Sequence, residues 1–260
     1  EPRVGVDINV TANTDIDTYE QHQQVEFTVN YSGYQVSNAV SDFKYIVQQN
    51  HRWDNHVEDL RPTMMQVNNL IFNHNRALIF PAGNEYRRFE ILDEYVPTMR
   101  VDQMTFEDPY YHAWLNLDEQ RINYLYDQDQ DGRYWIRNSD NVENDTESDY
   151  FYTHFTLQMP PVAGGDVYLF GDLTNNQMTE EYKMEYNLLD HQYELVTPLK
   201  QGSYNYMYIF RHDGDTVGRT LPCEGDFHQT ENEYYVYVYH RPFGLRYDKL
   251  VGFQKMNFKE

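Results

Sequence analysis

Tyr204-Asn205-Tyr206-Met207-Tyr208-Ile209-Phe210 decides the fold class. In an extended strand neighbouring side chains point to opposite faces, so Tyr204, Tyr206, Tyr208 and Phe210 share one face. Further along, Tyr235, Tyr237 and Tyr239 share a face opposite Tyr234, Val236 and Val238. Both stretches read as strands whose rings pair across a sheet and cement it, in preference to a recognition surface. The whole chain repeats the theme. Aromatic residues make up 16% of it and 25 of them are Tyr, a side chain that suits half-buried strands because its hydroxyl still needs a partner or water.

Outward from that stretch, period-2 alternation recurs and turn residues punctuate it. In the first half, strands are expected at 4–10, 25–29, 43–47, 66–72, 77–80, 86–92, 99–106 and 111–117. A hairpin is expected next, with 121–126 and 133–137 flanking an Asp131-Gly132 turn that needs positive φ. The run 138–148 is almost wholly Ser, Asn, Asp, Glu and Thr and reads as a linker. Strands follow at 149–159, 167–171, 183–187, 193–196, 203–211, 233–241 and 250–258. Their number and spacing suit an Ig-like sandwich. The expectation is an all-β protein of two Ig-like β-sandwich domains in tandem, 1–144 and 145–260, the second early-set-like.

Charge and composition narrow the function classes. Lys plus Arg total 20 and Asp plus Glu total 42, a formal net charge of −22. Such a surface disfavours nucleic acid and anionic membrane as partners. Cys223 is the one cysteine, so no intramolecular disulfide forms, and no basic residue adjoins it to favour a thiolate. No apolar run reaches the length of a transmembrane helix.

Few constellations carry chemistry. Asp127, Asp129, Asp131 and Gly132 match the start of a calcium loop, yet Asn138 stands where that loop needs a bidentate Glu. The three Asp residues remain the calcium candidates, with an acidic turn as the plainer reading. His51 and His56 lack the tight spacing of a zinc pair. No nucleophile elbow, phosphate loop or dinucleotide fingerprint is present, so neither an enzyme, a cofactor nor a small-molecule substrate is expected. The candidates for contact with a partner protein are Trp53, Asn84, Arg87, Tyr204, Tyr206 and Tyr237.

A series of segments resembles a known family, the type IX secretion system plug proteins, formerly a domain of unknown function. The segments are 49–54 (Gln-Asn-His-Arg-Trp-Asp), 60–62, 81–89 (Pro-Ala-Gly-Asn-Glu-Tyr-Arg-Arg-Phe) and 129–132. They continue with 167–171, 183–187, 199–206 (Leu-Lys-Gln-Gly-Ser-Tyr-Asn-Tyr), 231–234 and 240–241. Family members begin with another domain, which by this reading the chain lacks. The resemblance implies a non-enzymatic periplasmic protein that caps the outer-membrane translocon of type IX secretion, with a translocon protein as partner. A second, local resemblance links 167–173 and 199–206 to glycogen-binding β-sandwich modules. It implies the alternative of an extracytoplasmic carbohydrate-binding module. Those modules stack sugar on a Trp shortly after the Gly-Asp turn, where this chain has Thr174-Asn175-Asn176-Gln177.

Overall fold

The structure, a computed structural model, describes residues 3–16, 18–140 and 142–259. Along the chain run β1 (Gly5–Thr11), β2 (His22–Asn30), β3 (Phe43–Gln49), β4 (Met64–Gln66), β5 (Asn69–Phe72) and β6 (Ile79–Pro81). Then come β7 (Arg87–Ile91), β8 (Val101–Glu107), β9 (Tyr110–Leu115), β10 (Asp118–Glu119), β11 (Tyr134–Ile136), β12 (Tyr150–Gln158), β13 (Gly165–Phe170), β14 (Glu185–Asn187), β15 (Gln192–Lys200) and β16 (Gly202–His212). β17 (Asn232–His240) and β18 (Lys249–Phe258) close the order. The protein is all-β, as the alternation predicts.

Two compact units form, and one is nested in the other. Unit 1 comprises residues 1–83 and 226–260, and unit 2 is the insert 84–225. This corrects the tandem division at residue 145. The correction has a topological cause. β9 and β12 pair in parallel, Phe151 opposite Tyr111 and His154 opposite Trp114. Parallel neighbours need a crossover connection. The polar run 138–148 belongs to that crossover, which also carries β11 to the other sheet of unit 2. The last two strands belong to unit 1, because β17 pairs with β3 on one side and β18 on the other. The chain leaves unit 1 at Gly83 and returns after Gly225, at φ values of 68° and 77°. Only glycine adopts this left-handed backbone without steric cost.

Unit 1 holds two sheets, β1-β2-β5-β4 with β6 on β2, and β18-β17-β3. Inward positions follow the two-residue period. Val25, Phe27 and Val29 from β2 meet Tyr45 and Val47 from β3 and Tyr234, Val236 and Val238 from β17 in one buried core. Phe27 stacks on Phe72 with centroids 4.2 Å apart. The single strand expected over 66–72 is instead a hairpin, β4 and β5, turned at Asn68 with φ 60°.

Unit 2 also holds two sheets, β14-β15-β12-β9-β8 with β10 on β12, and β11-β16-β13 with β7 on β16. Tyr204, Tyr206, Tyr208 and Phe210 all enter its core, beside Phe89, Phe151 and Phe155. The reverse face of β16 is buried too, since Met207 and Ile209 pack with Tyr86, Tyr168 and Phe170. The hairpin expected between 121–126 and 133–137 does not form. β11 pairs with β16, while the Arg121 amide bonds the Cys223 carbonyl and the Tyr124 hydroxyl bonds Glu85. Those polar tethers hold 121–126 outside any strand.

A protease tests the nesting. Glu143 and Glu147 are exposed, so endoproteinase Glu-C should nick the polar run. The two fragments are expected to co-elute in native size-exclusion chromatography and to part only in denaturant. Fragments that separate natively would restore the tandem division.

Candidate functional site

The densest charge cluster is centred on Arg87, whose side chain is 4% exposed. Its position in β7 faces the core of unit 2 opposite Tyr206 of β16. Arg87 Nη1 donates to Asp118 Oδ1 at 2.7 Å, Nε to Glu224 Oε1 at 2.9 Å, and Nη2 to the Glu119 carbonyl at 2.7 Å and Glu224 Oε2 at 3.0 Å. Asp118 also accepts from Arg100 at 2.6 Å and from the hydroxyls of Tyr206 and Tyr208 at 2.7 and 2.8 Å. Glu224 accepts the Tyr208 amide at 2.9 Å. Burial opposes the Arg87 charge, but the Glu224 and Asp118 carboxylates outweigh it and hold the guanidinium above its ordinary pKa. Burial, and then Asp118, push both tyrosines well above theirs, so they stay hydroxyl donors. The hub ties β7, β10 and β16 to the segment around Glu224.

A second hub, of amides, lies inside unit 1. Asn50 donates to Asn232 at 2.7 Å and accepts the Glu233 amide at 2.8 Å. Asn232 donates to Gln23 at 3.0 Å and to the Ala82 carbonyl at 2.8 Å. Gln49 donates to the Pro81 carbonyl at 2.9 Å and to the Tyr234 hydroxyl at 3.1 Å. Segments 49–54, 81–89 and 231–234, far apart in sequence, therefore meet in the two hubs.

The candidates read from the sequence are distributed unevenly. Asn84, Arg87, Tyr204 and Tyr206 are buried, so they are corrected from partner contacts to internal ties. Asn84 donates to the Glu224 carbonyl at 2.9 Å, and Tyr204 stacks between Phe89 and Tyr134. Trp53 is 59% exposed and meets His56 edge-on, and Tyr237 is half-buried beside Phe253. Gly132 has φ +84°, as the turn reading requires. The calcium candidates do not converge. Asp127 pairs with Arg88 at 2.9 Å, and Asp129 accepts the amides of Tyr86 and Asp131. Among the described residues no group of three or more His, Cys, Asp or Glu is placed to hold a metal ion. Cys223 is buried, and burial pushes its thiol well above the ordinary range.

Three surface features stand out, of which the sequence pointed only to part of the β17 face, through Tyr237. The outer face of β9 and β12 carries a ladder of rings. Trp114 stacks on His154 at 4.4 Å and on His112 at 5.5 Å, and His112 stacks on Tyr152 at 5.3 Å. The rings lie nearly parallel, so each covers part of its neighbour's face. His112 Nδ1 lies 2.9 Å from His154 Nε2, a hydrogen bond that requires one imidazole to be neutral. The outer face of β17 and β18 leads to an exposed hairpin tip. Trp135, 65% exposed, stands on β11. The signal for the first two was period-2 alternation read for its outward residues as well as its inward ones.

The fold is shared with a solved protein. A crystal structure of a hypothetical protein from Parabacteroides merdae superposes with a TM-score of 0.95 at 47% sequence identity, covering 99% of this chain. The chain spans 65% of that protein's length. No family model matches the chain, and no curated protein matches it. No helix among the described residues is long and apolar enough to cross a membrane.

Two measurements probe these ties. Replacing Arg87 by Met leaves two buried carboxylates without their cation, and should cost about 3–5 kcal/mol in urea unfolding. A loss under about 1 kcal/mol would mean that the cluster acts like a solvated surface pair. For the histidines, burial and then His112 hold His154 below its ordinary value of 6.5. The unfolded state then takes up the proton first, so stability is full above pH 6.5 and falls as pH drops toward the folded value. His154→Phe should flatten that part of the pH–stability profile, and an unchanged slope would refute the assignment.

Proposed function

We propose that the chain is a non-enzymatic plug or accessory component of the outer-membrane type IX translocon, capping the pore from the periplasmic side. The observation that carries this reading is an exposed aromatic face on unit 1. Tyr237 of β17 has Ile46 of β3 and Phe253 of β18 as cross-strand neighbours. Phe253 is 49% exposed and Leu250 53%, and the hairpin beyond adds Tyr247 at 54% and Phe243 at 106%. Contiguous exposed apolar surface of this kind marks a protein-binding site, and aromatic residues are enriched in such sites. The ordered segments of the plug-family resemblance supply the partner. Segments 49–54, 81–89, 199–206 and 231–234 contribute to the two buried hubs, which supports a resemblance of fold over one of scattered motifs. Fixed hubs also suit a plug, which must hold one shape to seal a pore.

The alternative of a carbohydrate-binding module has no support at the turn the local resemblance singles out. Thr174 there is buried and bonds the Gly171 carbonyl at 2.9 Å, and Asn175 and Asn176 complete a left-handed turn without a ring.

Co-purification with the translocon tests the plug reading. Wild-type protein is expected to associate, most strongly in cells lacking the cargo shuttle. The pair Phe243→Ser and Phe253→Asp should abolish most of that association while leaving the thermal midpoint in place. No association of the wild type, even without the shuttle, would overturn the reading.

A further inference from the structure

Beyond the plug reading, a groove in unit 2 has the make-up of a ligand site. It lies on the outer face of β7, β16 and β11, the side opposite Phe89 and Tyr204. Ser203 is centred there, with Glu90 beside it on β7 and Trp135 beside it on β11. In the next row Asn205 pairs with Arg88. The loop at Gln128 and Gln130 and the side chain of Arg137 complete a cavity of about 330 Å³. That is at the small end of the range for small-ligand sites, roughly 300–1,000 Å³.

The groups in the groove are fixed before any ligand arrives. Glu90 Oε1 accepts the Ser203 hydroxyl at 2.6 Å and an Arg137 nitrogen at 3.4 Å. Arg88 donates to the Gln128 carbonyl at 3.2 Å and pairs with Asp127 at 2.9 Å. The Arg137 side chain is 40% exposed, so part of it stays open to a ligand in the groove. The indole of Trp135 rises beside these groups and is the most exposed of the three tryptophans.

We propose that this groove binds a neutral oligosaccharide, with one pyranose ring packed on Trp135 and its hydroxyls shared among Glu90, Arg137, Ser203 and Asn205. A pyranose has an apolar C–H face and a rim of hydroxyls. An indole suits the first. Planar carboxylate, guanidinium and amide groups suit the second, because they accept and donate in fixed directions. Charge argues for a neutral chain. Each guanidinium in the groove has its own carboxylate, Arg88 with Asp127 and Arg137 with Glu90, and the protein as a whole carries −22. A polyanion would meet no local surplus of positive charge to offset that repulsion. The groove is separate from the Gly171-Asp172 turn, so it does not depend on the ring missing there.

Isothermal titration with cellohexaose, maltohexaose and mannohexaose, and with tetragalacturonate as the acidic arm, tests the assignment. At least one neutral hexaose should bind saturably. Trp135→Ala should weaken that binding at least tenfold, Trp135→Phe should weaken it less, and Trp53→Ala should leave it unchanged. Circular dichroism of the variants checks that each is folded. Three results would each overturn the proposal: no saturable binding of any neutral hexaose, binding indifferent to Trp135→Ala, or binding of tetragalacturonate alone. Co-purification of Trp135→Ala with the translocon should be unaltered, so failure here is distinct from failure of the plug reading.

Discussion

A guanidinium removed from water must take its whole complement of acceptors with it, and Arg87 does so. Four of its contacts go to two carboxylates and one goes to a carbonyl, while Tyr206 and Tyr208 donate to the other oxygen of Asp118 and Arg100 shares the one that Arg87 uses. The aromatic strand that dominates the sequence depends on this arrangement. Two tyrosine hydroxyls in the middle of a core would be costly without acceptors. Asp118 supplies both, and Asp118 is tolerable there only because Arg87 and Arg100 neutralise it. Removing one member therefore exposes the rest to the cost of unpaired burial, which is why the core of unit 2 combines so many hydroxyls with so little solvent.

Unit 1 solves the same problem with neutral groups. Asn50, Asn232, Gln23 and Gln49 interlock, and Tyr234 donates its hydroxyl to Gln23 at 2.7 Å. Amides can donate and accept at once, so the network closes on itself without ions. Unit 1 does bury some charge, Arg52 against Asp54 at 2.6 Å and Glu233 against Lys255, but there as in unit 2 the buried ions are paired. The acidic excess is left for the surface.

Much of the architecture was legible in the sequence. Alternation located β3, β16 and β17 to within a residue or two and the middle of β2, and it separated Tyr204, Tyr206 and Tyr208 from Met207 correctly. The nesting was not legible, because pairing of β3 with β17 joins residues nearly two hundred apart and leaves no local trace. The polar run around residue 145 misled for a related reason. A crossover between sheets and a linker between domains have the same composition. Of the six partner candidates, four proved internal, since a buried Arg or Tyr with a full set of hydrogen bonds has the same letter as an exposed one. Trp53 and Tyr237 reach the surface. Trp135 was missed because a short edge strand gives too few residues for its outward position to stand out. Phe243 lies in the connection between β17 and β18, where no alternation marks which residues face outward.

The closure of unit 2 also bears on how unit 1 assembles. Asn84 and Glu224, at the two ends of the insert, are joined by a hydrogen bond of 2.9 Å. While 84–225 is unfolded, β3 must find β17 across a long flexible loop. Once the insert has folded, its ends are pinned together and that loop shrinks to about 40 residues, 50–83 and 226–231. The saving in loop-closure entropy is about 1 kcal/mol, taking a cost that grows as the logarithm of loop length. Folding the inner unit first thus lowers the entropic cost of closing the outer one.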